Sequence, residues 1–318
     1  MTDIAVPQSG AGIKGFAHRL LNRASRSWRT IIIGLPYIWL LLFFLIPFVI
    51  VLKISLAEAM IARPPYSPLL VWADDIALKI QITFANFAFL TEDSLYWFGY
   101  LNSLKIAAIS TVFCLLLGYP MAYGIARSAS ATRNILLLLV ILPFWTSFLL
   151  RIYAWMGMLN KQGVINNTLL WLGIIDEPMT LMNTDFAVYI GIVYSYLPFM
   201  ILPLYTNLER MDMSLHEAAM DLGSRPWQVF KDVTLPLSVP GIIAGSLLVF
   251  IPATGEYVIP ALLGNPSNPM IGRVLFDEFF SNRDWPVASA VAIVLLFFLV
   301  VPIIFFQQYQ MREAEGGK

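Results

Sequence analysis

The sequence predicts an all-α integral membrane protein with six transmembrane helices and both termini in the cytoplasm. Three observations carry this. Of 318 residues, 58% are hydrophobic and only 13% charged, about half the charge of a soluble domain. Mean hydropathy is +0.73. The apolar residues gather in long runs, not in short alternating ones. A chain so composed cannot bury its apolar surface within itself, so its solvent is lipid.

The runs are Ile31–Leu52, Leu101–Ala126, Ile135–Trp155, Phe186–Leu208, Gly241–Leu262 and Pro286–Gln307. Each reaches the ~20 residues that a helix needs to cross ~30 Å of hydrocarbon. Backbone polar groups in lipid must bond internally, which makes these helices. Barrel strands would be about ten residues long and alternate in polarity. The runs define a transmembrane domain over 31–307, a basic segment before it (1–30) and a short tail after it (308–318). Lys14, Arg19, Arg23, Arg26 and Arg29 face a single acid, Asp3, ahead of the first run. That bias places the N-terminus in the cytoplasm, and six crossings return the C-terminus there. The first run starts late and is too long for a cleavable signal peptide.

Between the first two runs lies a long outer loop, 53–100. It is too polar to cross (Asp74, Asp75, Lys79, Glu92, Asp93) and rich in proline and aromatics. Loops of this length are commonly functional; it reads as a cap on the bundle or as a partner contact.

Several classes are excluded. Zero net charge gives no footprint for nucleic acid. Two histidines, His18 and His216, rule out a His-rich metal site, and the single cysteine, Cys114, cannot form an internal disulfide. There is no Gly-x-x-x-x-Gly-Lys-Ser/Thr phosphate loop and no nucleophile–base pair, and the stretch from His216 to Met220 fails the His-Glu-x-x-His pattern at its last place. The chain is read as a non-enzyme without cofactor or metal of its own.

A polar insert, 209–240, separates the fourth and fifth runs, on the cytoplasmic side of the predicted topology. Ser214 and Glu217 fit a capping box, and Gly223 stands where a left-handed C-terminal cap is wanted. Ser224 and Pro226 open a second helix, which Leu235 and Pro236 are expected to stop. The result is two short helices at an angle. One presents small Ala218 and Ala219, the other Trp227 and Phe230, which suits docking of a partner.

Here the residues carry a family resemblance. Glu217-Ala218-Ala219, three residues, Gly223, nine residues, Val233, one residue, Leu235-Pro236 resembles the signature of ATP-binding-cassette importer permeases. The stretch from Arg151 to Gly157, Asn102-Ser103, and Asn282 to Pro286 resemble the polyamine branch of that family. The resemblance implies a type I importer permease fold in a bacterial inner membrane. It implies that Glu217, Ala218, Ala219, Gly223, Leu235 and Pro236 dock on a cytosolic ATPase. It also implies two ATPase copies holding ATP and Mg, a second homologous permease and a periplasmic polyamine-binding protein.

The candidate for the substrate path is Glu256, in the outer half of the fifth run. An ionised carboxylate facing lipid is costly, so it should face protein or a water-filled path. Pro252, Gly255 and Pro260 predict an irregular helix there, tolerated where it lines a cavity. A carboxylate with aromatics suits an ammonium group, and Tyr257, Tyr194, Tyr196 and Trp145 are the expected aromatic partners. The structural alternative is an interhelix hydrogen bond. Arg151 is expected to snorkel or to pair with an acid. Asp277, Glu278, Asp284 and Trp285, on the last outer loop, are candidates for binding-protein contact, or else for interfacial anchoring. Gly241-x-x-x-Gly245 is expected to let helices pack closely. A permease for ferric ion or thiamine and a stand-alone secondary transporter are the rival readings. The second would leave the insert unexplained.

Overall fold

The computed structural model describes residues 32–73 and 77–316. The basic segment 1–30, including His18, and Asp74 and Asp75 of the outer loop lie outside the described residues. The chain divides into two units, up to Ile54 and from Ser55 onward. The first holds all but the last residue of α1 (Ile32–Ser55), 24 mostly apolar residues with a π-helical turn at Leu41–Leu45.

In the second unit the outer loop is largely structured. An antiparallel hairpin, β1 (Leu70–Ala73) and β2 (Ala77–Ile80), pairs Leu70 with Ile80 and Ala73 with Ala77. The hairpin is followed by α2 (Ala85–Glu92). Buried Asn86 donates to the carbonyls of Ser55 and Ala57 at 2.9 and 2.8 Å, fastening the loop's first turn. The second span, α3 (Ser94–Arg127), is 34 residues long and starts within the expected loop, because Asp93 caps it by accepting from the Leu95 N–H.

The third run is not one rod. It breaks into α4 (Ser130–Ile141), a 3-10 turn at Leu142–Trp145, and α5 (Phe148–Leu159), followed by α6 (Val164–Trp171). The two halves meet at 89°. Pro143 has no N–H to continue the ladder, and its carbonyl is taken by the N–H and hydroxyl of Thr146 at 3.2 and 2.8 Å.

The fourth span, α7 (Asp185–Glu209), matches its run, with Thr184 as N-cap. It leads to α8 (Ser214–Asp221), the first helix of the insert. The fifth span corrects two expectations. Helix α9 runs from Pro226 to Thr254 without interruption, so Leu235 and Pro236 do not stop it. A π-helical turn at Phe230–Thr234 bonds the Leu235 N–H to the Phe230 carbonyl. Its wider turn relieves the clash that a proline ring makes one turn back in an α-helix. Helix α9 then ends at Gly255, short of the expected Leu262, and short α10 (Val258–Leu263) follows. Next come α11 (Ile271–Phe276), continued by a π-helical turn to Asn282, and α12 (Trp285–Gly316), the sixth span.

Helices α3, α7 and α9 form the centre. Their cores are Cys114, Ala122, Met200, Leu204 and Val249 toward the insert, and, toward the other end, Ile106 and Ile192 joined by Ile259 and Leu263 of α10. The expected close packing at Gly241-x-x-x-Gly245 is present. A side chain at Gly245 would lie 2.8 Å from Met200 Sδ, and one at Gly241 would lie 2.8 Å from Asn207 Cβ. A third core joins Leu90, Tyr96 and Tyr100 to Ile271, Val287 and Val291, so α2 caps the bundle on α12.

Candidate functional site

The insert presents its signature residues outward. Glu217, Ala218 and Gly223 are exposed and Ala219 is half-buried, with Leu222 87% exposed between them. The capping box expected at Ser214 is absent. The Ser214 N–H is taken by Asp212 and the Glu217 N–H by the Met213 carbonyl, which leaves the Glu217 carboxylate free to face solvent. Gly223 meets its expectation. At φ +85° it ends α8 with its own N–H on the Met220 carbonyl and that of Ser224 on Ala219, a two-bond C-terminal closure that favours glycine. The second helix is capped by Gln228, whose Oε1 accepts from the Arg225 N–H at 2.8 Å, and not by Ser224. Trp227 is 70% exposed and stacks on Phe230, which itself packs edge-on against Tyr119 and Tyr123 of α3. Leu235 and Pro236 are exposed on the first turns of the α-helical part of α9.

One joint in the insert was not read from the sequence. His216 is buried, and its Nε2 lies 3.0 Å from Arg127 Nη2 and 2.9 Å from Thr234 Oγ1. Arginine only donates, so Nε2 accepts and the ring is neutral. Burial first, and the Arg127 charge second, hold its pKa below the ordinary 6.5. The imidazole thereby ties α8 to the ends of α3 and α9. Nothing in the local pattern announces this, because its partners lie 89 residues before it and 18 after it.

At the far end of α9, Glu256 occupies the break between α9 and α10. Its Oε1 accepts from the N–H groups of Val258 and Ile259 at 3.0 and 3.4 Å, and Oε2 accepts from the Tyr196 hydroxyl. The contact depends on Gly191: a side chain there would lie 2.7 Å from Ile259 and 2.9 Å from Leu263, so only glycine lets α10 lie this close to α7. The carboxylate faces protein, as its cost in lipid requires, and is one face of the expected interhelix contact. Tyr257 stacks on Phe276 at 3.8 Å and 15°. Two expected partners are elsewhere. Tyr194, two residues from Tyr196, points around the helix to Trp155. Trp145 is 70% exposed at the bend and joins no ring pair among the described residues. Arg151 pairs with no acid among the described residues. Its guanidinium lies over the rings of Phe144 and Phe148, 5.5 and 5.6 Å from their centroids.

The last loop brings its acids to partners within the fold. Glu278 accepts from the Tyr96 hydroxyl and from Asn282, both at 2.9 Å. Asp284 caps α12 by accepting from the Val287 N–H, and Asp277 lies 3.8 Å from Arg273. These acids are thus engaged within the fold. Trp285 stacks on Phe279 at 5.0 Å.

A bundle of bent apolar helices with an exposed polar insert at one end and a hydrogen-bonded carboxylate at a helix break near the other has the architecture of a membrane permease. The chain belongs to the binding-protein-dependent transport system inner membrane component family, whose pattern matches residues 114–310. It is 42% identical over 257 residues to the spermidine/putrescine transport system permease protein PotB of Escherichia coli, covering 81% of this chain and 88% of that one. Against PotB of Haemophilus influenzae it is 39% identical over 294 residues, 92% and 97% of the two chains. Its fold is shared with a solved chain of a bacterial alginate ABC transporter in complex with its alginate-bound periplasmic protein. The TM-score is 0.71 over 92% of this chain and 98% of that one, at 19% identity. The chain is therefore an inner-membrane transport permease with the fold of ABC importers.

Proposed function

We propose that this permease carries a polyamine, putrescine or spermidine, from the periplasm to the cytoplasm as one subunit of an ATP-driven importer. The observation that carries the cargo class is Glu256. A carboxylate is held where a span opens, beside a phenol, and an amine cation is the ligand that such a group favours. The polyamine names of its relatives support the same cargo.

The insert faces the cytoplasm, as the basic segment before the first span favours. There α8 and the start of α9 dock on the ATPase, which holds the nucleotide and magnesium. Two ATPase copies, a second permease and a periplasmic polyamine-binding protein complete the assembly. ATPase closure pulls on α8, and α9 transmits the pull to the break at Glu256. Tyr196 occupies the carboxylate while no cargo is present; an ammonium group displaces it.

The test is ATPase activity of the reconstituted complex with its binding protein empty, loaded with putrescine or loaded with spermidine. Stimulation by one loaded form is expected. Stimulation by neither removes the polyamine reading.

A further inference from the structure

The last outer loop carries charges of both signs, held in different ways. Asp277, Glu278 and Asp284 are engaged within the fold, whereas two arginines on the same face are not. The side chains of Arg63 and Arg283 are exposed and have no hydrogen-bond or ion-pair partner among the described residues. They flank one groove of about 590 Å³, whose walls are Pro64 on one side and Phe279, Phe280 and Trp285 on the other. Phe280 is 60% exposed. Aromatic rings and arginine are the residue types that anchor protein interfaces, and paired positive charges at a rim select an acidic surface and speed its encounter.

We propose that this groove is the seat for an acidic loop of the periplasmic binding protein: Arg63 and Arg283 take its carboxylates, and the rings pack on their aliphatic stems. This rests on the reading of the chain as an importer permease with this end in the periplasm. The seat is also in contact with the cargo site. Trp285 touches Phe279 at 5.0 Å, Phe279 touches Phe280 at 4.9 Å, Phe280 touches Phe276 at 4.5 Å, and Phe276 stacks on Tyr257 beside Glu256. A loop that presses on Phe280 therefore acts on rings continuous with the break in the fifth span.

The experiment measures affinity of the loaded binding protein for the assembled transporter in nanodiscs of zwitterionic lipid, at two ionic strengths. The wild type is compared with Arg63→Glu/Arg283→Glu and Arg63→Lys/Arg283→Lys. The glutamate pair should bind at least about tenfold more weakly with a flatter salt dependence, and the lysine pair should stay near wild type. If the glutamate pair fails to assemble, Arg63→Gln/Arg283→Gln is measured, and a loss of about tenfold is again expected. Unchanged affinity and salt dependence in whichever acid or amide pair assembles overturns the seat while leaving the importer intact. A difference that appears only when anionic lipid is added overturns it too, since the arginines would then serve headgroups. A wild-type complex that binds no loaded protein at all is the distinct failure of the underlying importer reading.

Discussion

The Tyr196 hydroxyl donates to the Glu256 carboxylate across 60 residues of sequence, joining the fourth span to the break in the fifth. The same carboxylate caps α10 through the N–H groups of Val258 and Ile259. One side chain therefore holds a helix start and, in the proposed path, also meets the cation. Glu256→Gln separates the two duties. Its amide oxygen still accepts from α10, but the charge is gone. Assembly should be retained, and cationic cargo uptake should slow by about ten- to a hundredfold, the worth of one charge-assisted bond. Uptake at the wild-type rate in proteoliposomes would refute a role in the path.

Gly191 tests the same geometry without touching the carboxylate. In Gly191→Val the new side chain meets Ile259 and Leu263 on α10. Overpacking of this kind costs about 1–3 kcal/mol. The expected outcome is a correctly inserted protein with a lowered melting temperature and a large loss of transport. Retained transport with normal stability would mean that α10 need not lie against α7.

Gly223→Val addresses the docking end. At φ +85° a β-branched residue is strained by about 1–2 kcal/mol. The closing turn of α8 should open, and ATP hydrolysis should lose its dependence on loaded binding protein. Complex yield and coupled ATPase activity are the readouts. Full coupling would show that the turn is not needed for docking.

His216 gives the insert a pH dependence. Its folded pKa is lowered below the ordinary 6.5, so the unfolded joint binds the proton more readily. The stabilisation is complete above about pH 6.5 and is lost as pH falls through the lowered folded value. Hydrogen exchange across 214–234 should therefore quicken in mild acid, as the imidazolium is repelled by Arg127. In His216→Gln the step should vanish. An unchanged pH step in that variant would assign it to another group.

Much of this organisation is legible in the sequence because lipid enforces simple rules. Apolar length alone finds the spans, and Gly223 and the small pair at Gly241 and Gly245 stand where local chemistry demands them. Breaks inside spans are harder to read. Pro143 lies in a 3-10 turn just ahead of the 89° break after Trp145, whereas Pro236 is passed by a π-helical turn, and both look alike as proline in an apolar surround. Glu256 is visible because charge in a span is costly, but which tyrosine it meets depends on helix rotation, so Tyr196 and Tyr194 could not be told apart. The partners of Asp277, Glu278 and Asp284 could not be read, because Arg273, Tyr96, Asn282 and the α12 backbone are matched to them only in the fold.

Helix α9 runs unbroken for 29 residues, from Pro226 in the insert to Thr254 beside Glu256, about 43 Å at 1.5 Å per residue. The two ends are thus locked in phase as well as in distance. Most single substitutions along its outer face leave that phase untouched. Inserting or deleting one residue between Pro240 and Pro252 rotates one end against the other by about 100°, and swings the carboxylate off Tyr196 while every neighbouring side chain keeps its identity. In this span, register is the inherited quantity, and length variation should be far rarer than sequence variation.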